Sequence, residues 1–262
     1  MPRFAANLTM LFTEVPFLER FKAAREAGFK SVEFLFPYEY EMSQIRNLVE
    51  KNGLQVVLFN LPAGNWAAGD RGIACDPGRQ EEFRAGVQQA LAWARELGVP
   101  RLNCLAGKAV SSSSQEQQWR ILVDNLRYAA ELLGAHGINL MIEPINRYDM
   151  PGFILNTSRQ ALELIAQINL PNVYLQYDIY HAQREEGDLT NTLREHLQKI
   201  GHIQIADNPW RHQPGTGEIN YPFILKELDK LEYKGYVSLE YLPQPDTLTS
   251  LQWITAYGYS LS

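Results

Sequence analysis

Cysteine is nearly absent from this chain of 262 residues: there are two, Cys75 and Cys104. Two cysteines without C-x-x-C spacing cannot build a disulfide framework or a zinc cluster of the usual kind, so a reduced compartment is expected. Histidine is also scarce, at five residues, and basic residues are outnumbered, with 24 Lys and Arg against 30 Asp and Glu. A net charge of −6 offers no basic footprint for nucleic acid. No run approaches the roughly 18 apolar residues of a membrane span, and no signal-like apolar segment opens the chain, because Asn7 and Glu14 interrupt it early. The expectation is a cytoplasmic protein that binds neither membrane nor nucleic acid; self-association into a homo-oligomer stays open.

Nucleotide fingerprints are missing too. Gly64, Gly69 and Gly72 do not form G-x-G-x-x-G between a strand and a helix, and Gly107-Lys108 lacks the rest of a P-loop, with Leu102 and Ala109 where Gly and Ser or Thr belong. What the chain does have is a beat. Short apolar strands alternate with amphipathic helices, punctuated by glycines such as Gly28, Gly53, Gly98 and Gly137. Strands are predicted over residues 3–8, 31–36, 54–60, 101–105, 139–143, 173–178, 202–205 and 235–240. Helices are predicted over 16–27, 41–51, 79–97, 114–133, 158–168, 189–200, 221–231 and 246–257. Eight strand-helix units fit a single (β/α)8 TIM barrel spanning residues 1–262 better than a doubly wound sheet with a small second domain.

A barrel of this kind delivers all its strand C-termini to one face, where chemistry is built. The ends read Asn7, Glu33, Asn60, Asn103 with Cys104, Glu143, Asp178, Gln204 and Glu240. Glu143 is the clearest: Ile138-Asn-Leu-Met-Ile142 runs apolar into it, and Pro144 disfavours helix there and supplies no ladder donor. Three carboxylates and an amide at one mouth repel each other unless protons or a cation intervene. Glu143, Asp178, Gln204 and Glu240 are hard oxygen donors, so Mg²⁺ or Mn²⁺ is the expected metal.

Other residues surround that set. His181, three residues after Asp178, is placed by one helical turn beside the metal or over a substrate oxygen. Arg211, Lys108 and Arg71 lie in loops after strands seven, four and three and are candidates to hold a substrate carboxylate. The long loop from Leu61 to Arg79, following Asn60, is expected to act as a lid. His202 alternates with Gln204 and should line the barrel interior.

The segments Ile142-Glu143-Pro144, Tyr177-Asp-Ile-Tyr-His181, His202-Ile-Gln-Ile-Ala-Asp207, Pro214-Gly-Thr-Gly-Glu-Ile-Asn220 and Leu239-Glu240-Tyr241 are familiar as a set. From Arg3 to about Trp253 the chain resembles the xylose-isomerase-like barrels and, within them, the hydroxypyruvate isomerase family, which includes 2-oxo-tetronate isomerases. The resemblance implies that Glu143 and Glu240 are the proton-transferring pair and that Glu143, Asp178, Gln204 and Glu240 hold the metal. His181, Arg211, Lys108 and Asn60, by their places at and after the strand ends, are the candidate substrate contacts; the resemblance implies a small hydroxy-oxo acid as substrate, with hydroxypyruvate and tartronate semialdehyde as the expected couple. Related ketose 3-epimerases carry His where this chain has Gln204. A ketose 3-epimerase is the alternative enzyme. A zinc endonuclease on the same barrel type is argued against by the few histidines and the negative charge.

Overall fold

The computed structural model describes residues 1–261. Eight parallel strands close into a barrel in the order β1 to β8, each bonded to its sequence neighbours and β8 to β1. The strands are β1 (Arg3–Asn7), β2 (Ser31–Glu33), β3 (Gln55–Asn60), β4 (Arg101–Cys104), β5 (Asn139–Ile142), β6 (Val173–Asp178), β7 (Ile200–Ile205) and β8 (Tyr236–Leu239). Helices α1 (Phe17–Glu26), α2 (Met42–Lys51), α3 (Gln80–Leu97), α4 (Gln115–Gly134), α5 (Ser158–Ile168), α6 (Ile179–Glu185), α7 (Leu189–His196) and α8 (Tyr221–Lys230) follow the strands, with short α9 (Thr247–Ser250) and α10 (Gln252–Ala256) after β8. Among the described residues, no helix is long and apolar enough to cross a membrane.

Strand alternation divides the side chains into two layers. Leu102, Leu140, Ile142, Leu175, Ile203, Ile205, Val237 and Leu239 point outward into one continuous apolar core shared with the helices. Each such side chain contributes about 1.5–3 kcal/mol when fully buried, so the barrel's stability comes mainly from this outer layer. The inward positions are released from that task and are largely polar. A small separate apolar group that includes Ala5, Met141 and Tyr236 fills the lower interior. One pleat above them lie Asn7, Glu143 and Ser238, and then Glu240. Register places Asn7 beside Glu33, Asn60 beside Asn103, and Asp178 beside Gln204.

Local chemistry explains where the helices begin. Ser114 accepts from the Gln117 N–H, Asn220 accepts from that of Phe223, and Thr157 with Gln160 forms a reciprocal capping box. The predicted strand over 31–36 stops at Glu33, because the register shifts between Val32 and Glu33 and the Leu35 N–H then bonds the Thr9 hydroxyl. The predicted helix over 189–200 ends at His196, and a 3₁₀ turn at Leu197–Lys199 leads into β7. A helix that the periodicity did not announce, α6, starts directly from Asp178, which caps it. The predicted helix over 246–257 is divided into α9 and α10 at Leu251.

The long loop after β3 is anchored through most of its length. Ile73, Ala74 and Cys75 are buried, the Cys75 N–H bonds the Ala106 carbonyl, and Asn125 holds the Ala74 carbonyl. Gly72, at φ +103°, presses its backbone against the chain at Leu105 to Gly107, and a Cβ there would overlap the Leu105 carbonyl. Only the tip around the 3₁₀ turn Trp66–Ala68 projects, with Arg71 stacked on the Trp66 ring at 4.0 Å. Gly72→Ala combines left-handed strain with backbone overlap and is expected to cost about 2 kcal/mol or more. Urea unfolding should show that loss as a lowered midpoint at unchanged slope, and an unshifted midpoint would show that the loop yields there.

Candidate active site

At the C-terminal end of the barrel, Glu143, Asp178 and Glu240 are all at most 5% exposed. Each is held by a different device. Glu143 Oε2 accepts from Asn103 Nδ2 at 2.7 Å, across from β5 to β4. Glu240 Oε1 accepts from Asn7 Nδ2 at 3.0 Å, across from β8 to β1. Asp178 Oδ1 caps α6 through the Tyr180 and His181 N–H groups, while its buried Oδ2 has no hydrogen-bond partner.

One guanidinium serves the set. Arg211 Nη2 lies 2.6 Å from Glu240 Oε2 and 3.6 Å from Asp178 Oδ2. The Arg211 backbone, at φ +60°, is fixed on both sides: its N–H bonds the Asp207 carbonyl and its carbonyl accepts from Leu242. Asp207 organises that loop by accepting four backbone N–H groups, from Asn208 and Ile219 on Oδ1 and from Gly215 and Gly217 on Oδ2. Gly217 passes so close that a Cβ would overlap the Asn208 carbonyl. The Pro214-Gly-Thr-Gly-Glu218 stretch is therefore a cradle for one carboxylate, and its product is the position of Arg211.

Charge is unbalanced here. Burial pushes the Glu143 carboxyl up from its ordinary value, the Asp178 charge pushes it further, and Asn103 and Arg211 oppose the rise incompletely. Glu240 is raised well above the ordinary range by burial and by Asp178 and Glu143, despite its pairing with Arg211. Arg211 is itself raised, since attraction from Glu240, Asp178 and Glu143 outweighs its own burial. One cation cannot neutralise three carboxylates, so the cluster holds a proton or an added positive charge. Two like charges about 4 Å apart repel by about 4 kcal/mol at an effective dielectric near 20, which is the size of the problem.

A second polar level lies below. Glu33 is fully buried and accepts from His202 Nε2 at 2.7 Å, Gln204 Nε2 at 2.8 Å and Asn7 Nδ2 at 2.9 Å. Burial alone would raise its carboxyl, but His202 and these donors hold it below the usual range. His202 is held low by burial against the pull of Glu33. It lines the interior beside Gln204 as alternation predicts, with its Nε2 against Glu33 Oε2.

The remaining predicted residues divide. His181 is buried, with Nε2 3.5 Å from Asp178 Oδ2, and one ligand atom from each of His181, Glu143 and Asp178 lies within 4.8 Å of the other two. Asn60 is one step removed from Glu143, accepting from the Asn103 amide at 3.2 Å. Gln204 shares the level of Asp178, but its amide is engaged at both ends, donating to Glu33 and accepting from Gln176 at 2.7 Å. Lys108 is exposed, and among the described residues no hydrogen bond or ion pair joins its Nζ to the carboxylates. Arg71 is committed to the loop tip, donating to the Trp66 and Asp70 carbonyls. A surface cavity of about 600 Å³, lined by Thr9, Phe36, Tyr38, Pro62 and Trp66 among others, lies beside that tip. A larger one, about 780 Å³, lies along α4 and touches none of the carboxylates.

Residues 21–257 match the family model described as Xylose isomerase-like TIM barrel. The chain is 53% identical to hydroxypyruvate isomerase of Escherichia coli K12 over 257 residues, 98% of this chain and 100% of that protein. It is 46% identical to 2-oxo-tetronate isomerase of Pectobacterium atrosepticum, covering 97% of each. A solved structure described as AP endonuclease, family 2, from Brucella melitensis superposes with a TM-score of 0.95 at 43% identity, covering 98% of this chain and 99% of that one. The chain belongs to the xylose isomerase-like TIM barrel family. Within it, the named relatives mark this barrel as an isomerase.

The site of this xylose isomerase-like barrel suits a divalent cation by its chemistry. It offers hard oxygens, an excess of negative charge and a buried Asp178 oxygen that has no hydrogen-bond partner among the described residues. The sequence places Asn7, Glu33 and Asn103 at strand ends but assigns them no role, and nothing in it singles out Asn146 or Asp149. The alternation that paired His202 with Gln204 could have aimed both at Glu33.

Because Glu143 and Glu240 titrate above their ordinary value of 4.5, the folded barrel binds more protons than the unfolded chain above that pH. Their contribution to stability is therefore present at low pH and lost as pH rises through the raised values. In chelator-treated protein, the wild type should lose stability relative to Glu240→Gln as pH moves from mildly acidic to mildly alkaline, and saturating Mg²⁺ should shrink the difference. Melting temperatures of the two proteins across pH check this, and a gap of opposite slope would contradict the charge assignment.

Proposed function

We propose that the chain interconverts hydroxypyruvate and tartronate semialdehyde, an aldose-ketose isomerisation carried out by Glu143 and Glu240. The observation that carries the proposal is that two buried glutamates, directly after β5 and β8, lie with Asp178 in the field of one guanidinium, which pairs with Glu240 and Asp178, so one glutamate can be ionised while the other keeps its proton. That is the charge state a proton shuttle between adjacent carbons needs. The 53% identity to hydroxypyruvate isomerase along the whole chain supports this substrate. The 2-oxo-tetronate isomerase relatives support a four-carbon acid as the alternative.

In the forward direction, an ionised glutamate removes a proton from C3, the hydroxymethyl carbon. The electron pair moves into a C2–C3 double bond, and the former carbonyl oxygen becomes an enediolate oxygen. The protonated glutamate delivers to C2, and the hydroxyl proton passes from O3 to O2, leaving an aldehyde at C3. Asn7 and Asn103 fix the two carboxyls, so that little rearrangement is needed when charge moves between them. Arg211 supplies positive charge at the site and is the group best placed to pair with an anionic substrate. A Mg²⁺ or Mn²⁺ ion held by Glu143, Asp178 and Glu240, with Gln204 as a neutral fourth donor if it releases Gln176, would supply Lewis acidity toward the enediolate oxygens. Lys108 and Asn60 remain substrate contacts only in this proposal, Asn60 acting through Asn103. The net charge of −6 gives no support to a nuclease reading.

Glu240→Gln should lower turnover of hydroxypyruvate by a factor of about 10²–10⁴ while leaving circular dichroism unchanged. Near-normal turnover would remove Glu240 as a proton-transfer group. Dialysis against chelator should lower activity and added Mg²⁺ or Mn²⁺ restore it; indifference would sink the metal-assisted version alone. Hydroxypyruvate, a 2-oxo-tetronate and a free ketohexose assayed side by side separate the two isomerase readings from epimerisation.

A further inference from the structure

His181 can serve this site in one of two ways, and the choice lies in which ring nitrogen carries its proton. With a bare Nε2 it could join Glu143 and Asp178 as a metal ligand. With Nε2–H it is a hydrogen-bond donor facing the same space. The answer depends on Asn146, a fully buried residue in the loop after β5.

The amide of Asn146 has four polar neighbours. Its Oδ1 accepts from the backbone N–H groups of Tyr148, at 3.1 Å, and Asp149, at 2.9 Å. Its Nδ2 faces Asp149 Oδ2 at 3.1 Å and His181 Nδ1 at 2.6 Å. Turning the amide over would aim NH₂ at two N–H donors and the oxygen at a carboxylate, so three of the four neighbours fix its orientation. The fourth contact then has one solution: the amide donates, and His181 Nδ1 accepts. Asp149 is held in turn by the Tyr180 hydroxyl at 2.8 Å and by Arg184 at 3.5 Å.

We propose that Asn146 is a positioning residue that locks His181 as the Nε2–H tautomer, making His181 a hydrogen-bond donor to the reacting oxygens and excluding it from the metal's ligands. Nδ1 is covered by Asn146 itself, and Nε2 carries the proton. Neither nitrogen is free to bind a cation, which leaves that task to the carboxylates. The donor is aimed beside Asp178, where an oxygen of the substrate gains negative charge in an enediolate mechanism. The catalytic part of this inference rests on the isomerase reading above; the tautomer does not.

The test is a two-bond ¹H–¹⁵N correlation spectrum of protein labelled at histidine, with His181 assigned by its absence in His181→Gln. Metal-free wild type should show His181 with a bare Nδ1 and a protonated Nε2, unchanged on adding Mg²⁺. A protonated Nδ1 before Mg²⁺, or after it, would overturn the proposal, the second result because it signals a metal bound at Nε2. The double variant Asn146→Asp/Asp149→Asn keeps the oxygen cap for the two backbone N–H groups and reverses the donor between the two side chains. It presents an acceptor to His181, so the two ring signals should exchange and kcat for hydroxypyruvate should fall about 100-fold with KM little changed. A wild-type ring pattern in that variant would show that another group sets the tautomer. Since the ring spectrum needs no turnover, loss of the isomerase reading would leave this result standing.

Discussion

Three carboxylates must share a dry barrel mouth with one guanidinium, and much of the surrounding structure answers that constraint. Asp207 spends both of its oxygens on backbone N–H groups so that the loop can deliver Arg211 between Glu240 and Asp178. Asn7 and Asn103 reach across from neighbouring strands to fix the two glutamates without adding charge. A substituted amide there would preserve the count of charges but not their positions. Electrostatic preorganisation of this kind is assembled at folding rather than at the moment of reaction.

Below the mouth the same problem is solved differently. Glu33 is fully enclosed, yet three side chains, those of Asn7, His202 and Gln204, bond its carboxylate. Asn7 joins the levels, since its Nδ2 touches both Glu33 and Glu240. Gln204 likewise belongs to both levels, at the height of Asp178 in register but bonded to Glu33. A buried network whose members share partners in this way resists piecemeal change, because removing one member leaves its neighbours unpaired.

The barrel itself was legible in the sequence, because eight apolar strands separated by amphipathic helices leave few other architectures. Glu143, Asp178 and Glu240 were legible at strand ends, since parallel strands in a barrel all finish on one face. Boundaries slipped where local rules compete: β2 is cut short by a register shift at Glu33, and α6 begins on Asp178 without a loop to announce it. The roles of Glu33 and Asn146 could not be read along the chain. Glu33 acts on His202 from 169 positions away, and Asn146 acts on His181 from 35. Lys108 and Arg71 are loop cations of the same kind as Arg211, and the sequence already favours Arg211 over them. Of the three, Arg211 is the one whose guanidinium reaches the carboxylates.

Asp178 divides its two oxygens between unlike duties: one ends a strand by starting a helix, and the other is left open to the site. Helix α6 is seven residues long, too short to persist by its own hydrogen bonds, so it depends on that cap and on packing. His181 rides on its first turn. Anything that draws on the open oxygen therefore also bears on the helix that carries the imidazole. Occupancy of the site and order in α6 become reciprocal quantities, each biasing the other through a single carboxylate.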